Sequence, residues 1–178
     1  MLAPKRELID KLKEHGAVVI PSVGLPRHAE KVASWGADAV MIQGGEGGGH
    51  TGATPTTLLL PTVLDAVDIP VIAAGGFFDG RGLAAALSYG AAGIGMGTRF
   101  LLTNDSAVPD PIKTRYLEFG LDGTVVTAKA DGMPHRLLRT EFHRWARGRV
   151  PGRPPGGNNA PHSPVQGPVR TVLGGAGT

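Results

Sequence analysis

The chain has 178 residues, 41% of them hydrophobic, and a formal net charge of +3 at pH 7; this length fits a single domain or part of a larger one. It contains no cysteine, which excludes disulfides and thiolate chemistry. No apolar run reaches the roughly 18 residues of a membrane helix, and the N-terminus lacks the apolar core of a signal peptide, so we expect a cytoplasmic protein with no membrane partner.

Along the chain, apolar positions at helical spacing alternate with short, near-continuous apolar runs. The helical patterns cover residues 4–15, 26–35, 56–67, 79–89 and 109–119. The apolar runs predict buried strands at residues 17–23, 37–43, 69–74 and 91–96. Pro61 should kink the third helix or start its second segment. Strands buried on both faces and separated by helices indicate a parallel sheet built from βαβ units.

The pattern weakens towards the C-terminus. Residues 125–127 predict a short extended segment and residues 133–145 an amphipathic one. From residue 146 onwards, 14 of 33 residues are proline or glycine, a composition that cannot bury enough apolar surface to fold. We therefore divide the chain into a folded domain, residues 1–145, and a Pro/Gly/Arg-rich tail, residues 146–178, that we expect to be disordered. The tail is either a flexible arm or an out-of-frame reading of GC-rich DNA.

The positive charge belongs to this tail. Four of the 18 basic residues and none of the 15 acidic residues lie after residue 145, so residues 1–145 carry 14 basic against 15 acidic side chains. The folded domain offers no basic face with interleaved aromatic residues, and we expect no nucleic-acid partner.

Two α/β architectures compete, a doubly wound open sheet and a (β/α)8 TIM barrel. Three successive strands end in glycine-rich loops, and barrels build their sites from the loops at the carboxyl ends of their strands. An open sheet concentrates its glycines at one switch point, so the pattern favours the barrel. Only about four βα units are present, about half of a barrel. The chain would then be the C-terminal half of one: a fragment, a truncated product, or a homo-oligomer that completes itself with another copy.

The most informative loop follows the strand at residues 37–43. Six glycines lie within residues 44–52, together with His50. Glycine allows a backbone to approach a ligand closely, and a histidine is suited to general-base work near neutral pH. Gln43, at the end of the strand, offers an amide donor and an acceptor to a heterocyclic ring. Glu46 could orient His50 or bind a metal, but no second ligand-type residue lies nearby in sequence, so we expect no metal site.

The next two strands end in Gly75-Gly76 and in Gly93-Ile94-Gly95-Met96-Gly97-Thr98. Exposed backbone N–H groups at a strand end, together with a helix N-terminus, bind phosphate, and the Thr98 hydroxyl adds a donor. The alternative is that these glycines only permit tight turns. Neither segment has the spacing of a Walker or Rossmann motif.

Taken together, GADAVMIQGGEGGGHTG and IPVIAAGGFFDGRGLAAALSYGAAGIGMGTRFLLT resemble the nitronate monooxygenase family, formerly called 2-nitropropane dioxygenases and related to flavin-dependent enoyl-[acyl-carrier-protein] reductases. The resemblance extends from about Lys5 to Arg139. It implies a partial FMN-binding TIM barrel over residues 1–145, with His50 as the catalytic base and Gln43 at the flavin ring. It also implies that Gly48 lies against the cofactor. The residues implied to hold the FMN phosphate are Gly75, Gly76, Gly95, Met96, Gly97 and Thr98.

This resemblance implies an FMN-dependent oxidoreductase that oxidises an alkyl nitronate or a similar small carbon acid, with His50 as base. The family often has Gly-Gly-His-Arg-Gly, whereas Thr51 stands here in place of the arginine. Flavin dehydrogenases or enoyl reductases that act on acyl-CoA esters are therefore an alternative. A truncated half-barrel without catalytic activity is another, because the N-terminal strands that supply further flavin contacts in the family are not part of this sequence.

Overall fold

The computed structural model describes residues 4–129, 131–140 and 171–172. Its helices are α1 (Arg6–Glu14), α2 (Pro26–Ser34), α3 (Thr56–Leu64), α4 (Gly80–Tyr89), α5 (Thr98–Leu101) and α6 (Asp110–Leu117). Its strands are β1 (Ser22–Val23), β2 (Val40–Gln43), β3 (Gly49–His50), β4 (Val71–Ala74), β5 (Gly93–Gly95), β6 (Thr124–Thr127), β7 (His135–Leu138) and β8 (Thr171–Val172). Among these helices, none is both long and apolar enough to cross a lipid bilayer.

The main sheet has the strand order β1-β2-β4-β5-β8. The first four strands are parallel, and β8 pairs with β5 in the antiparallel direction. Gln43 lies opposite Ala74, which in turn lies opposite Gly95, so the carboxyl ends of three strands meet at one edge. The predicted parallel α/β sheet is confirmed, and it corresponds to part of a (β/α)8 barrel. The rest of the predicted tail, residues 146–170 and 173–178, lies outside the described residues.

The two faces of the parallel sheet serve different purposes. Val40 and Ile42 of β2 are buried and pack with Val32 of α2 and Leu59 of α3. Side chains alternate across a strand, so Met41 and Gln43 lie on the opposite face. There, a Cβ on Gly95 would come within 3.4 Å of the Met41 sulfur. One face therefore forms the core with the helices, and the other lies on the side where Gln43 enters the glycine loop.

Local sequence explains where several elements begin and end. The Asp79 carboxylate accepts hydrogen bonds from the backbone N–H groups of Arg81 and Gly82 and caps α4, and Gly90 ends that helix with φ of 101°. Strand β1 is shorter than the predicted residues 17–23 because Pro21 has no N–H group for a ladder bond. Pro61 lies inside α3 and does not begin a second segment. The carbonyl that it leaves unbonded belongs to Thr57, which is exposed and can bond water.

A second, antiparallel sheet has the order β3-β7-β6. The extended segment predicted at residues 125–127 is confirmed as part of β6, and residues 135–138, placed in an amphipathic segment, form the half-buried strand β7. The strand β3 in the glycine loop and its pairing with β7 were not predicted. His50 lies opposite His135 in this register, and Gly49 opposite Arg136. This sheet brings the C-terminal part of the described chain onto the glycine loop.

Candidate active site

The side chain of Gln43 closes the glycine loop. Its amide nitrogen donates to the carbonyl oxygens of Gly48, at 3.0 Å, and of His50, at 2.8 Å. A side-chain amide has two donor hydrogens, and these two bonds use both. A contact between Gln43 and a ring would therefore be made by its side-chain carbonyl oxygen alone. The sequence suggests a contact in which the amide both donates and accepts.

Two further side chains hold the ends of the loop. The Glu46 carboxylate accepts hydrogen bonds from the backbone N–H of Thr56, at 2.9 Å, and from its hydroxyl, at 2.7 Å. Glu46 therefore satisfies the first turn of α3 and is not the partner of His50. Thr51 is buried, and its hydroxyl donates to the carbonyl oxygen of Gly44 at 2.9 Å. The residue that departs from the family pattern is thus part of the internal structure of the loop.

The three glycine loops meet at the carboxyl edge of the sheet. Gly75 and Gly76 have φ of 95° and 83°, where a side chain is strained. A Cβ on Gly75 would lie 3.0 Å from the backbone nitrogen of Gly47, and a Cβ on Gly48 would lie 3.9 Å from Thr98 Oγ1. The structure therefore brings the predicted residues of all three loops together.

The β5–α5 loop has the features of a phosphate cradle. Gly97 and Thr98 are exposed, and a Cβ on Gly97 would meet no atom within 4 Å. Gly97 precedes the first turn of α5, and N–H groups in a first turn have no intrahelical acceptor. The Met96 side chain instead lines an apolar cavity with Phe78 and Phe100, so Met96 could reach a phosphate only through its backbone. These residues fit a phosphate group.

Gly95 has a different surrounding from Gly97. It is buried in β5, and a Cβ there would lie 3.4 Å from both the Ala74 Cβ and the Met41 sulfur. The missing side chain lets these neighbours pack closely on that face of the sheet. For Gly95 the geometry supports close strand packing more directly than a phosphate contact.

His50 is part of a cluster of two histidines and one aspartate. Its Nε2 atom lies 2.8 Å from Asp131 Oδ2, and His135 Nδ1 lies 3.1 Å from Asp131 Oδ1. The two imidazole rings have centroids 3.5 Å apart and are tilted by 45°. The backbone N–H of Met133, followed by the His50 side chain, holds the pKa of Asp131 below its usual value. The Asp131 side chain is therefore an ionised carboxylate at neutral pH, with one oxygen near a ring nitrogen of each histidine.

Asp131 and His135 are the functional candidates that sequence reasoning missed. The sequence alone assigns no role to His135, although only 14% of its side chain is exposed. No second ligand-type residue lies near His50 along the chain, as the sequence indicates. In the folded structure, however, Asp131 contacts His50 although it lies 81 residues away in sequence. Asp131-Gly132 is a turn signal that lies after the extended segment predicted at residues 125–127, so it indicates that the chain can reverse direction before β7. It does not reveal that the hairpin packs on the glycine loop.

This cluster also bears on metal binding. One ligand atom each from His50, Asp131 and His135 lie within 4.8 Å of one another. Imidazole and carboxylate are ligands of several divalent metals. That this site holds no metal remains a prediction, which a Zn²⁺ titration would test.

The family model for nitronate monooxygenase matches residues 1–155. The chain belongs to the nitronate monooxygenase family. Its members in the comparisons below carry the names of oxidoreductases. This confirms the predicted family and the expectation of an enzyme.

The chain is similar in sequence to two curated relatives and in structure to one solved protein of this kind. A (3aS,4S,5R,7aS)-5-hydroxy-7a-methyl-1-oxo-octahydro-1H-indene-4-carboxyl-CoA dehydrogenase of Mycobacterium tuberculosis is 75% identical over 144 residues, which are 79% of this chain and 41% of the relative. A probable nitronate monooxygenase of Staphylococcus saprophyticus is 39% identical over 150 residues, which are 78% of this chain and 42% of the relative. FabK from Thermotoga maritima superimposes with a TM-score of 0.75 and 45% identity, over 79% of this chain and 45% of that one. The chain thus spans less than half the length of each.

Proposed function

We propose that this chain is part of an FMN-dependent dehydrogenase that acts on an acyl-CoA thioester of a fused-ring carboxylic acid. The observation that carries the proposal is His50, whose imidazole is held by Asp131 and which belongs to the glycine loop that meets the other two loops. Support for the substrate class is the 75% identity to a dehydrogenase named for an indene-carboxyl-CoA. A small-molecule substrate follows from this class, while the cytoplasmic location and a homo-oligomeric state stay predictions.

The chemistry suits a base beside an electron acceptor. A carbon next to a thioester carbonyl is acidified, and we assign His50 the removal of its proton. The flavin, when bound, would accept a hydride from the neighbouring carbon, so that a double bond forms between the two carbons. The proton ends on the imidazole, and the substrate is oxidised by two electrons. The Asp131 carboxylate then stabilises the imidazolium.

The proposed FMN contacts follow the loops already described. Exposed N–H groups at Gly97 and Thr98, with the Thr98 hydroxyl, would hold the phosphate. Gly75 and Gly76 keep the neighbouring loop close enough to complete the cradle, and Gly48 leaves room beside Thr98. The Gln43 carbonyl oxygen would accept a hydrogen bond from a ring N–H of the flavin. Met96 and Gly95 would act through backbone position and strand packing.

Nitronate oxidation is the second candidate, and the family match favours it. On a nitroalkane the same base would remove the proton next to the nitro group, and the nitronate formed in this way would be the species that is oxidised. Two observations favour the thioester. The identity to the probable nitronate monooxygenase is 39%, against 75% to the CoA dehydrogenase. In addition, Thr51 stands in place of the arginine of the family pattern. It is uncharged and buried, and its hydroxyl bonds Gly44, so it cannot form an ion pair with a nitronate anion.

Anaerobic flavin reduction separates the two candidates. The protein is loaded with FMN, and its visible flavin band is followed after addition of a fused-ring carboxyl-CoA thioester or of an alkyl nitronate. Bleaching by the thioester alone supports the proposal, and bleaching by the nitronate alone supports the second candidate. His50→Ala should retain FMN but reduce the rate of bleaching by about 10²- to 10⁴-fold, the usual contribution of a positioned base. An unchanged rate would remove His50 from the mechanism.

A further inference from the structure

We propose that Asp131 is a positioning residue that fixes the tautomer of His50 and makes Nδ1 its proton-accepting atom. This inference rests on the proposed function only in taking His50 as the base. It assigns a role to a residue of the β6–β7 hairpin, 81 positions away from His50 in the sequence.

The tautomer follows from the bond between the two side chains. Asp131 Oδ2 lies 2.8 Å from His50 Nε2, and an ionised carboxylate only accepts hydrogen bonds. Nε2 must therefore carry the hydrogen and donate it. A neutral imidazole has one N–H group and one lone pair, so the lone pair of His50 is on Nδ1. The proton taken from a substrate would enter at that atom.

The carboxylate is itself held in place from its other side. Asp131 Oδ1 accepts a hydrogen bond from the backbone N–H of Met133 at 3.1 Å. His135 Nδ1 lies 3.1 Å from the same oxygen, and its ring contacts that of His50 in a tilted arrangement. Oδ2 is left to face His50. The direction of the carboxylate is thus set by the turn before β7, and a positioning role needs such rigidity.

The hairpin is anchored to the loop that carries His50. His135 pairs with His50 in the β3–β7 ladder, and Thr51 N donates to the carbonyl oxygen of Pro134 at 3.0 Å. Arg136 adds a side-chain bond to Gly45 at 2.8 Å. Asp131 and His50 are therefore held by two segments with main-chain hydrogen bonds between them, and their contact does not depend on two free surface side chains meeting.

Asp131→Asn is the informative variant, because the turn predicts how the new amide would lie. The amide oxygen would keep the bond from the Met133 N–H, which leaves the NH₂ group facing His50 Nε2. An NH₂ group donates, so Nε2 would have to accept and the ring hydrogen would move to Nδ1. Asp105→Asn, at an exposed position away from the hairpin, is the matched control.

Nitrogen-15 NMR of the neutral His50 ring reads the tautomer directly in the chain without flavin. We expect an Nε2–H ring in the wild-type protein and in Asp105→Asn, and a shift towards Nδ1–H in Asp131→Asn. A wild-type Nδ1–H ring would overturn the proposal even if the variant did not fold. An unchanged tautomer in a folded Asp131→Asn protein would do so too. Because no turnover is measured, failure of the proposed dehydrogenase activity leaves this test intact.

The role of Asp131 can also be tested by steady-state kinetics of the FMN-loaded enzyme. Asp131→Asn should lower kcat by about 10²-fold, the lower end of the contribution of a positioned base, with little change in KM. A loss confined to KM would contradict a positioning role. A Zn²⁺ titration followed on the same His50 and His135 signals gives the competing outcome. Stoichiometric Zn²⁺ binding that is lost in Asp131→Asn would make the cluster a metal site and overturn the proposal.

Discussion

The guanidinium of Arg136 donates a hydrogen bond to the carbonyl oxygen of Gly45, 91 residues away in sequence, at 2.8 Å. Its second terminal nitrogen donates to the hydroxyl of Thr124 at 2.9 Å. One half-buried side chain therefore joins β7 both to the neighbouring strand β6 and to the glycine loop. The loop and the hairpin are held together as one unit by contacts of this kind.

Arg136→Met should weaken that unit. A hydrogen bond to a charged group contributes about 1.5–3 kcal/mol. Because the substitution removes the bonds to both Gly45 and Thr124, the free energy of unfolding should fall by at least that amount, as measured by denaturant titration. Amide hydrogen exchange in residues 45–52 should also become faster. Arg139→Met is the control, because Arg139 is exposed and makes one longer bond, 3.3 Å to the carbonyl oxygen of Thr124. Equal losses in the two variants would show that the Gly45 bond has no special weight.

Thr51→Val tests the internal bond of the glycine loop. Valine has nearly the shape of threonine but cannot donate to the carbonyl oxygen of Gly44, which would remain without this partner. That oxygen keeps the hydrogen bond from the N–H of Gly47, so the loss is that of one ordinary bond, about 0.5–1.5 kcal/mol, and the thermal midpoint should fall accordingly. Thr57→Val, on the exposed side of α3, should leave it almost unchanged. A Thr51→Val protein as stable as the wild type would contradict the bond.

Gly75→Ala should damage both stability and FMN binding. At φ of 95° an alanine is strained, and its Cβ would lie 3.0 Å from the Gly47 nitrogen and 3.2 Å from the Gly44 oxygen. Backbone strain of this kind costs about 1–3 kcal/mol, and the two loops would have to separate. Thermal unfolding and FMN titration measure the two effects. Gly24→Ala, where the added Cβ meets no atom within 4 Å, is the control and should retain both properties.

The sequence predicts the parallel strands well because each is a short apolar run that has to be buried on both faces. Val71–Ala74 is such a case, with four buried residues in a row. Boundaries are harder, since they depend on hydrogen bonds with partners elsewhere in the chain. Strand β1, reduced to Ser22–Val23, shows this. The pairing of β3 with β7 depends on a contact between segments more than 80 residues apart, for which local pattern has no signal.

The candidate site is predicted in part for the same reason. His50 and the glycines are visible because they follow apolar strands, and parallel strands bring their carboxyl ends together. Asp131 is invisible as a partner of His50, because its turn looks like any exposed Asp-Gly turn. Glu46 shows the opposite error: it lies only four positions before His50 in sequence, but its side chain bonds Thr56 at the start of α3. Nearness along the chain is a poor guide to side-chain partners within a folded loop.

The ion pair at the start of the sheet should make stability depend on pH. The Lys13 side chain, followed by the backbone N–H of Val19, holds the pKa of Asp38 below its usual value of 3.8. Since the pKa is lower in the folded than in the unfolded state, this stabilisation is present above 3.8 and is lost as the pH falls through the folded-state pKa. Asp38→Asn should therefore lower Tm at pH 7, and its difference from wild type should shrink below about pH 4. Asp68→Asn, at an exposed position, is the control, and a constant difference across this range would contradict the assignment.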